Sequence, residues 1–375
     1  MIKKSILTTL VFIIITNTFF VVPTLAKLDV GAESAILVDG RTGRVLFSKK
    51  PNAQKSIASV TKVMTAILVI ENASPEEVVT VDISAERTAE SEIYLEKNEK
   101  MTVENLLYAL MLQSANDAAV ALAKHISPSV PEFAELMNEK AKKLKMNDSI
   151  FYNPHGLGDT NISTASDLAK LGRYALRNPI FSQIVKTKEI TINGKRNRKV
   201  YNRNKLLWRY PYAIGIKTGY TKGAGSCLLS AAKKRDMSLI AVTLKAKDHE
   251  NTFTEAQEIF DWAYKNFRYH LIAQKGKVVS KVNIPFNFKK MSLGVGKDFG
   301  VISSKVSNLK TKINLSKSIE LPIKKGDTLG QLKVYEGKEL LAEEPLKARS
   351  SAGEVGFFSK LTYWIKYLFK KVAPV

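Results

Sequence analysis

Cysteine is almost missing from this chain. Cys227 stands alone among 375 residues, so no internal disulfide can form and a thiolate zinc site is excluded. Its neighbours Ser226, Leu228 and Leu229 make it a buried small hydrophobe rather than a nucleophile. Histidine is nearly as scarce. His125, His155, His249 and His270 are scattered, with no H-E-x-x-H or C-x-x-C spacing, so neither a metal nor a cofactor is expected. Negative charge is also short: 58 Lys and Arg face 35 Asp and Glu, a formal charge of +23. The excess is spread along the chain, a balance that favours anionic polymers or anionic membrane surfaces.

The N-terminus separates nucleic acid from the cell surface. Residues 1–26 begin with Lys3 and Lys4, continue through an apolar middle over residues 6–22, and close on Pro23-Thr24-Leu25-Ala26. A charged start, an apolar middle and a small residue at the cut mark a secretory signal, with cleavage expected after Ala26. The alternative is an uncleaved anchor; either way the rest is exported, and no nucleic-acid partner is expected.

The length suits a sizeable catalytic domain followed by a smaller one. Residues 34–38 and 44–47 flank Asp39-Gly40-Arg41-Thr42-Gly43 and predict a hairpin. From Ser59 onward, Val60, Val63, Met64, Ile67 and Ile70 recur at helical spacing. Further helices are expected over 103–112, 117–125, 131–144 and 165–176, strands over 212–219, 226–232 and 238–244, and a closing helix over 252–267. This order predicts an α+β domain, an antiparallel sheet flanked by helices, spanning 27–270. A short connection near Gln274-Lys275-Gly276 then leads into a small all-β sandwich over 276–347. Its expected strands include 282–286, 319–323 and 329–334, with turns at Lys325-Gly326-Asp327 and Glu336-Gly337.

The last segment, 354–373, predicts an amphipathic helix. At 100° per residue Phe357, Phe358, Leu361, Trp364, Ile365, Leu368, Phe369 and Val372 share one side. Lys366 and Lys370 lie opposite, with Lys360 and Lys371 at the border. A basic helix with this aromatic face suits an anionic membrane surface; the alternative is a terminal helix packed on the second domain.

Chemistry is suggested by three short motifs. In Ser59-Val60-Thr61-Lys62 a hydroxyl and an amine lie three residues apart, on one helical face. A serine needs a base to become a nucleophile, and Lys62 becomes one if burial and a neighbouring cation such as Lys217 lower its pKa. Alone, this motif equally describes a cap followed by a surface lysine. Ser114-Ala115-Asn116 lies between two helical patterns. There Ser114 can relay a proton and Asn116 can hold a substrate amide, or either can cap a helix. Lys217-Thr218-Gly219 offers a charge, a hydroxyl and a backbone open to close approach, together fit to bind a carboxylate.

Taken in order, the three motifs resemble those of the penicillin-binding acyl-serine transferases, and within that group the low-molecular-mass D-alanyl-D-alanine carboxypeptidases. Leu112-Gln113-Ser114-Ala115-Asn116-Asp117, His155-Gly156-Leu157, Asn204-Lys205-Leu206-Leu207 and Gly215-Ile216-Lys217-Thr218-Gly219-Tyr220-Thr221 extend the likeness. The resemblance implies a β-lactamase/transpeptidase-like fold and removal of the terminal D-alanine from peptidoglycan pentapeptide stems. It implies an acyl-enzyme on Ser59, Lys62 as base, and an oxyanion hole from the backbone N–H groups of Ser59 and Tyr220. Ser114 and Asn116 complete the catalytic set, while Lys217, Thr218, Gly219 and Tyr220 form the substrate-binding strand. β-Lactams would act as inhibitors, and the location would be the outer face of the cytoplasmic membrane, peripherally anchored by the C-terminal helix. Related enzymes often hold the carboxylate with an arginine just before the last catalytic-domain helix. This chain has Asp248-His249-Glu250-Asn251-Thr252 there, leaving His249 or Lys247 as substitutes. His155 is open to a structural or a catalytic reading.

Two rivals are weighed. A class A serine β-lactamase would need E-x-x-L-N between Asn116 and Lys217, which is absent from the sequence. A catalytically inactive wall- or membrane-binding protein would use the run Lys195-Arg196-Asn197-Arg198-Lys199 to grip anionic polymers.

Overall fold

The computed structural model describes residues 28–287, 290–304, 309–316 and 318–372; the secretory signal expected over 1–26 lies outside them. Ser34–Asp39 and Val45–Lys49 form the expected hairpin. Its turn closes because the Asp39 carboxylate accepts from the Arg41 N–H and the Thr42 hydroxyl, an Asx-type turn, and Gly43 supplies a φ of +83°. The hairpin is the edge of a five-stranded antiparallel sheet. Its order is Val45–Lys49, Ser34–Asp39, Met237–Ala246, Gly225–Lys234, Ala213–Thr221.

Alternate residues of the sheet serve two cores, as a period of two requires. Ile36 and Val38 face a large core shared with the helix Lys62–Asn72, whereas Ala35 and Leu37 face Phe253, Ile259 and Phe260 of the helix His249–Asn266. Lys62 through Val69 are all buried, the pattern of a helix enclosed on every side. The nucleophile candidate is thereby held just before a helix whose first eight residues are all buried.

The second unit places Ser280–Asn283, Lys290–Gly294, Glu339–Ala348, Thr328–Glu336 and Leu309–Leu315 in one antiparallel sheet, beside the pair Arg268–Ala273 and Phe299–Ser303. The architecture is the predicted α+β domain followed by an all-β domain. Several boundaries differ. Arg268–Ala273, which the sequence reading divides at residue 270, pairs wholly with the second unit. The run 319–323 makes no strand, only an isolated bridge from Ile323 to Ala352, since Pro322 has no N–H to donate to a ladder. The exposed edge strand Leu309–Leu315 escaped prediction because its lysine-rich pattern carries little apolar signal.

Candidate active site

Ser59 lies in a single 3₁₀ turn, Ala58–Thr61, that runs into Lys62–Asn72. It is neither cap nor first α-helical residue, since a tight turn intervenes. The turn is wedged from two sides. A Cβ on Gly219 would sit 2.9 Å from the Ile57 carbonyl and 3.0 Å from the Ser59 nitrogen, and one on Gly156 would lie 2.0 Å from the Ala58 carbonyl. Glycine at both positions lets backbone press on backbone.

Lys62 is fully buried. Its Nζ lies 2.9 Å from Ser59 Oγ, 2.7 Å from Asn116 Oδ1 and 2.7 Å from the His155 carbonyl oxygen. A neutral amine has two hydrogens and one lone pair. Asn116 and His155 can accept only, so they take both hydrogens and leave the lone pair for the Ser59 hydroxyl. Asn116 cannot turn its amide around, because its Nδ2 donates to the Ala89 carbonyl at 2.9 Å. Burial first, then the charges of Lys217 and Arg203, hold the Lys62 amine well below the usual lysine range. The arrangement is that of a base.

The second motif owes its geometry to an irregularity. The helix expected over 103–112 is α-helical at Val103–Tyr108 and π-helical at Ala109–Gln113, and it ends on Ser114 in the left-handed region, φ +63°. This swings Ser114 into the pocket wall, and Asn116 opens the helix Asn116–Ile126 with its side chain on Lys62. Neither side chain caps a helix. Asp117, quoted above only as part of a motif, is fully buried. Its Oδ2 accepts from the N–H groups of Ile93 and Leu95 at 3.0 and 3.1 Å, tying down the loop that brings Glu90 and Ser91 to the pocket.

The third motif lies on Ala213–Thr221, the outer strand of the sheet, so one edge of its backbone has no strand partner among the described residues and faces Ser59. Lys217 is buried and donates to the Thr218 carbonyl at 2.9 Å. Burial, followed by Arg203, pulls its amine down to about 7. Thr218, Gly219 and the exposed Tyr220 line a cleft of about 510 Å³ together with Ser59, Ser114 and Asn116. All eight residues singled out in the sequence thus converge on one place.

Of the two proposed arginine substitutes, His249 reaches the cleft, while Lys247 is not among its lining residues. Sequence reasoning missed the cation that matters more, Arg203. It lines the cleft and donates to Ser91 Oγ at 2.5 Å. Its backbone N–H donates to the Leu112 carbonyl at 3.1 Å, fastening its loop beside Ser114. Nearby Lys205 and Arg209 both pair with Glu250, at 2.7 and 2.6 Å. Arg203 has no carboxylate partner among the described residues. Its signal was present in Asn202-Arg203-Asn204: two asparagines that fold the chain back on itself, Asn202 Oδ1 accepting from Asn204 N at 2.9 Å and Asn204 Oδ1 from Leu206 N at 3.2 Å.

His155 meets Lys62 through its carbonyl, while its ring Nδ1 accepts from the Leu157 N–H at 3.1 Å. Burial and the Lys62 charge push the imidazole down to about 4. Its ring organises a turn. Cys227 is buried, and burial raises its thiol to about 11, which makes it inert.

The sequence matches the family model described as D-alanyl-D-alanine carboxypeptidase over residues 21–248, and that of the penicillin-binding protein 5 C-terminal domain over residues 267–354. The D-alanyl-D-alanine carboxypeptidase DacF of Bacillus subtilis (strain 168) is 33% identical over 354 residues, 90% of either chain. The D-alanyl-D-alanine carboxypeptidase DacD of Salmonella typhimurium is 34% identical over 358 residues, 91% of this chain and 90% of that one. Among solved structures, penicillin binding protein 5 from Haemophilus influenzae matches with a TM-score of 0.75 and 28% identity, covering 88% of this chain and 100% of that one.

Proposed function

The chain belongs to the D-alanyl-D-alanine carboxypeptidase family, and from that premise we propose how its own residues remove the terminal D-alanine from peptidoglycan pentapeptide stems. The observation that carries the reading is the three-way setting of Lys62. Its amine hydrogens are committed to Asn116 and the His155 carbonyl, and its lone pair is left to Ser59.

The stem lies along the free edge of Ala213–Thr221 as an added strand, its carboxylate held by Lys217, Thr218 and Arg203. Ser59 Oγ attacks the penultimate D-alanine carbonyl as its proton passes to Lys62. The N–H groups of Ser59 and Tyr220 receive the oxyanion. As the C–N bond breaks, the leaving amine takes a proton from Lys62 by way of Ser114. Water then attacks the acyl-enzyme, Lys62 accepts its proton, and Ser59 is restored. Penicillins, which resemble the dipeptide, acylate Ser59 and leave slowly; rapid turnover of a chromogenic cephalosporin would instead indicate a β-lactamase.

The polymer-gripping rival finds little support. Lys195 pairs with Glu96, Arg198 with the buried Glu99 at 2.7 Å and Lys199 at 3.0 Å with Glu189 on the strand paired with its own, so most of the basic run is already neutralised. The C-terminal helix, Phe357–Val372, supports a peripheral membrane location for an exported chain. Phe357, Phe358, Leu361, Trp364 and Leu368 are exposed. Tyr363, which lies off that face, makes the contact with Phe286 of the second domain, at 5.9 Å between ring centroids. The side chains of Phe369, Lys370, Lys371 and Val372, also assigned faces above, fall outside the described ones. No helix among the described residues is long and apolar enough to cross a membrane, which fits a helix lying in the interface.

The deciding experiment is D-alanine release from a pentapeptide stem ending in D-Ala-D-Ala. Release is expected from the wild type and should vanish in Ser59→Ala. A folded wild-type protein that releases none would move the reading to a wall-binding protein.

A further inference from the structure

The second domain carries a cluster of charge that the reaction does not use. Two turns and the end of the strand Glu339–Ala348 bring Lys275, Lys277, Lys325, Lys347 and Arg349 around a depression of about 380 Å³. No acidic side chain lines it, and among the described residues none of the five makes an ion pair. The nearest carboxylates are engaged otherwise: Asp298 accepts from the Lys275 N–H and Asp327 from the Lys324 N–H, both at 2.7 Å, each bracing a turn rather than neutralising an ammonium.

The frame of the depression is glycine. Gly276 and Gly326 have φ of +80° and +101°, and no atom lies within 4 Å of where a Cβ would stand on either. Each leaves an open face, although the Gly326 N–H itself is given to the Ala348 carbonyl at 2.9 Å. At Gly296 the corresponding point lies 3.8 Å from the Lys347 ammonium, and at Gly294 it lies 3.3 Å from Arg349 Cδ. Both cationic chains therefore lie beside backbone that carries no side chain. Converging cations without carboxylates repel one another, and glycine-framed backbone beside Lys and Arg is a setting that suits a phosphate group.

We propose that this glycine-framed cradle binds a phosphate ester. The inference is independent of the carboxypeptidase reading, since the cradle shares no residue with the cleft around Ser59. Two sources present the same chemistry to an exported protein, a phospholipid headgroup and a soluble polyol-phosphate chain. The headgroup is within range. Arg349 precedes Phe357 by eight residues, a span of at most about 28 Å, and Ser351 Oγ accepts from the Lys325 N–H at 2.9 Å, holding the segment that leads to the helix against the cradle.

The test uses the full chain and a Lys325→Gln/Lys347→Gln/Arg349→Gln variant, with Lys142→Gln/Lys143→Gln/Lys186→Gln on the catalytic domain as a control for the same lost charge. Glycerol phosphate titrated in a calorimeter should bind saturably to the wild type and to the control, at least tenfold more weakly to the cradle variant, with D-alanine release unchanged in all three. Equal affinity in the cradle variant, or no saturable binding to the wild type, overturns the proposal. Vesicles of phosphatidylcholine with and without phosphatidylglycerol identify the source. If the phosphatidylglycerol-dependent part of binding is lost with the cradle, the ligand is a headgroup; if glycerol phosphate binding is lost but vesicle binding is unchanged, the cradle takes a soluble phosphate ester. A failure of D-alanine release in the wild type would refute the enzymatic reading and leave this one standing.

Discussion

Lys217 is buried without a carboxylate partner among the described residues, and its amine falls to about 7. Between pH 7 and the ordinary lysine value of 10.5 the unfolded chain therefore holds a proton there that the folded chain does not. Stability must rise with pH across that window. Below it the burial penalty is present in full, a few kcal/mol at roughly 1.4 per pKa unit. Lys217→Met should accordingly melt higher than wild type at pH 7, by roughly 5–10 °C, and lose penicillin acylation, as calorimetry and a labelled β-lactam would show. A lower melting temperature would mean that the amine is not held at that expense. The same value predicts that kcat/KM falls above neutrality as Lys217 loses the charge that receives a carboxylate. Arg203 acts at the same scale. Removing a charged hydrogen bond costs about 1.5–3 kcal/mol, so Arg203→Ala should lower kcat/KM for a D-Ala-D-Ala peptide about 10–150-fold, mainly through KM. Hydrolysis of an analogue whose terminal carboxylate is replaced by an amide should not change.

Among the elements, the C-terminal helix separates cleanly from the chemistry. Phe357, Phe358, Leu361 and Leu368 of its apolar face are exposed, while Tyr363 contacts the Phe286 ring and Lys360 Nζ lies 5.2 Å from its centroid. Deleting residues 354–375 should release the protein from phosphatidylglycerol vesicles in a sedimentation assay while D-alanine release from a soluble stem stays at the wild-type level. Full binding by the shortened chain would remove the helix from the anchoring role. The helix was legible from its 100° pattern alone. The π-helical turn at Ala109–Gln113 was not, because 3.6-residue periodicity continues through it and nothing local announces the left-handed Ser114 that follows.

At the scale of the molecule, a side chain from the first hairpin makes the main ionic link between the two domains. Arg44 reaches Glu336 at 2.7 Å and Glu339 at 3.3 Å, and donates to the Ile302 carbonyl at 2.9 Å. Arg41 adds a hydrogen bond to the Tyr269 hydroxyl at 2.7 Å. Ile302 of the second unit adds an apolar contact with the core around Phe260 and Phe267, but interfaces with a large ionic share let domains move and unfold separately once weakened. Arg44→Ala should therefore split a single calorimetric transition into two without changing penicillin acylation. One unsplit transition at the wild-type temperature would show that the link rests elsewhere.

The sequence by itself determined the main sheet and most helices of the catalytic domain, the three motifs and the amphipathic tail, because each is written in local spacing; it did not show the helix Pro179–Lys186 or the hairpin of Glu189–Ile192 with Arg198–Tyr201. The Ser59–Lys62 pair needs only a helical turn, and the face of Phe357, Leu361 and Trp364 needs only a helical period. Tertiary structure alone decided what the motifs do together. Asn116 stands 54 positions from Lys62 and the His155 carbonyl 93 away, yet these two acceptors aim the amine at Ser59. Arg203 entered the cleft through a loop hydrogen-bonded to Leu112, a contact that no periodicity encodes. The phosphate cradle likewise exists only where two turns and a strand end, distant in sequence, meet. Spacing along the chain can specify a face; the lone pair of a buried lysine is directed by whichever groups the fold brings to surround it.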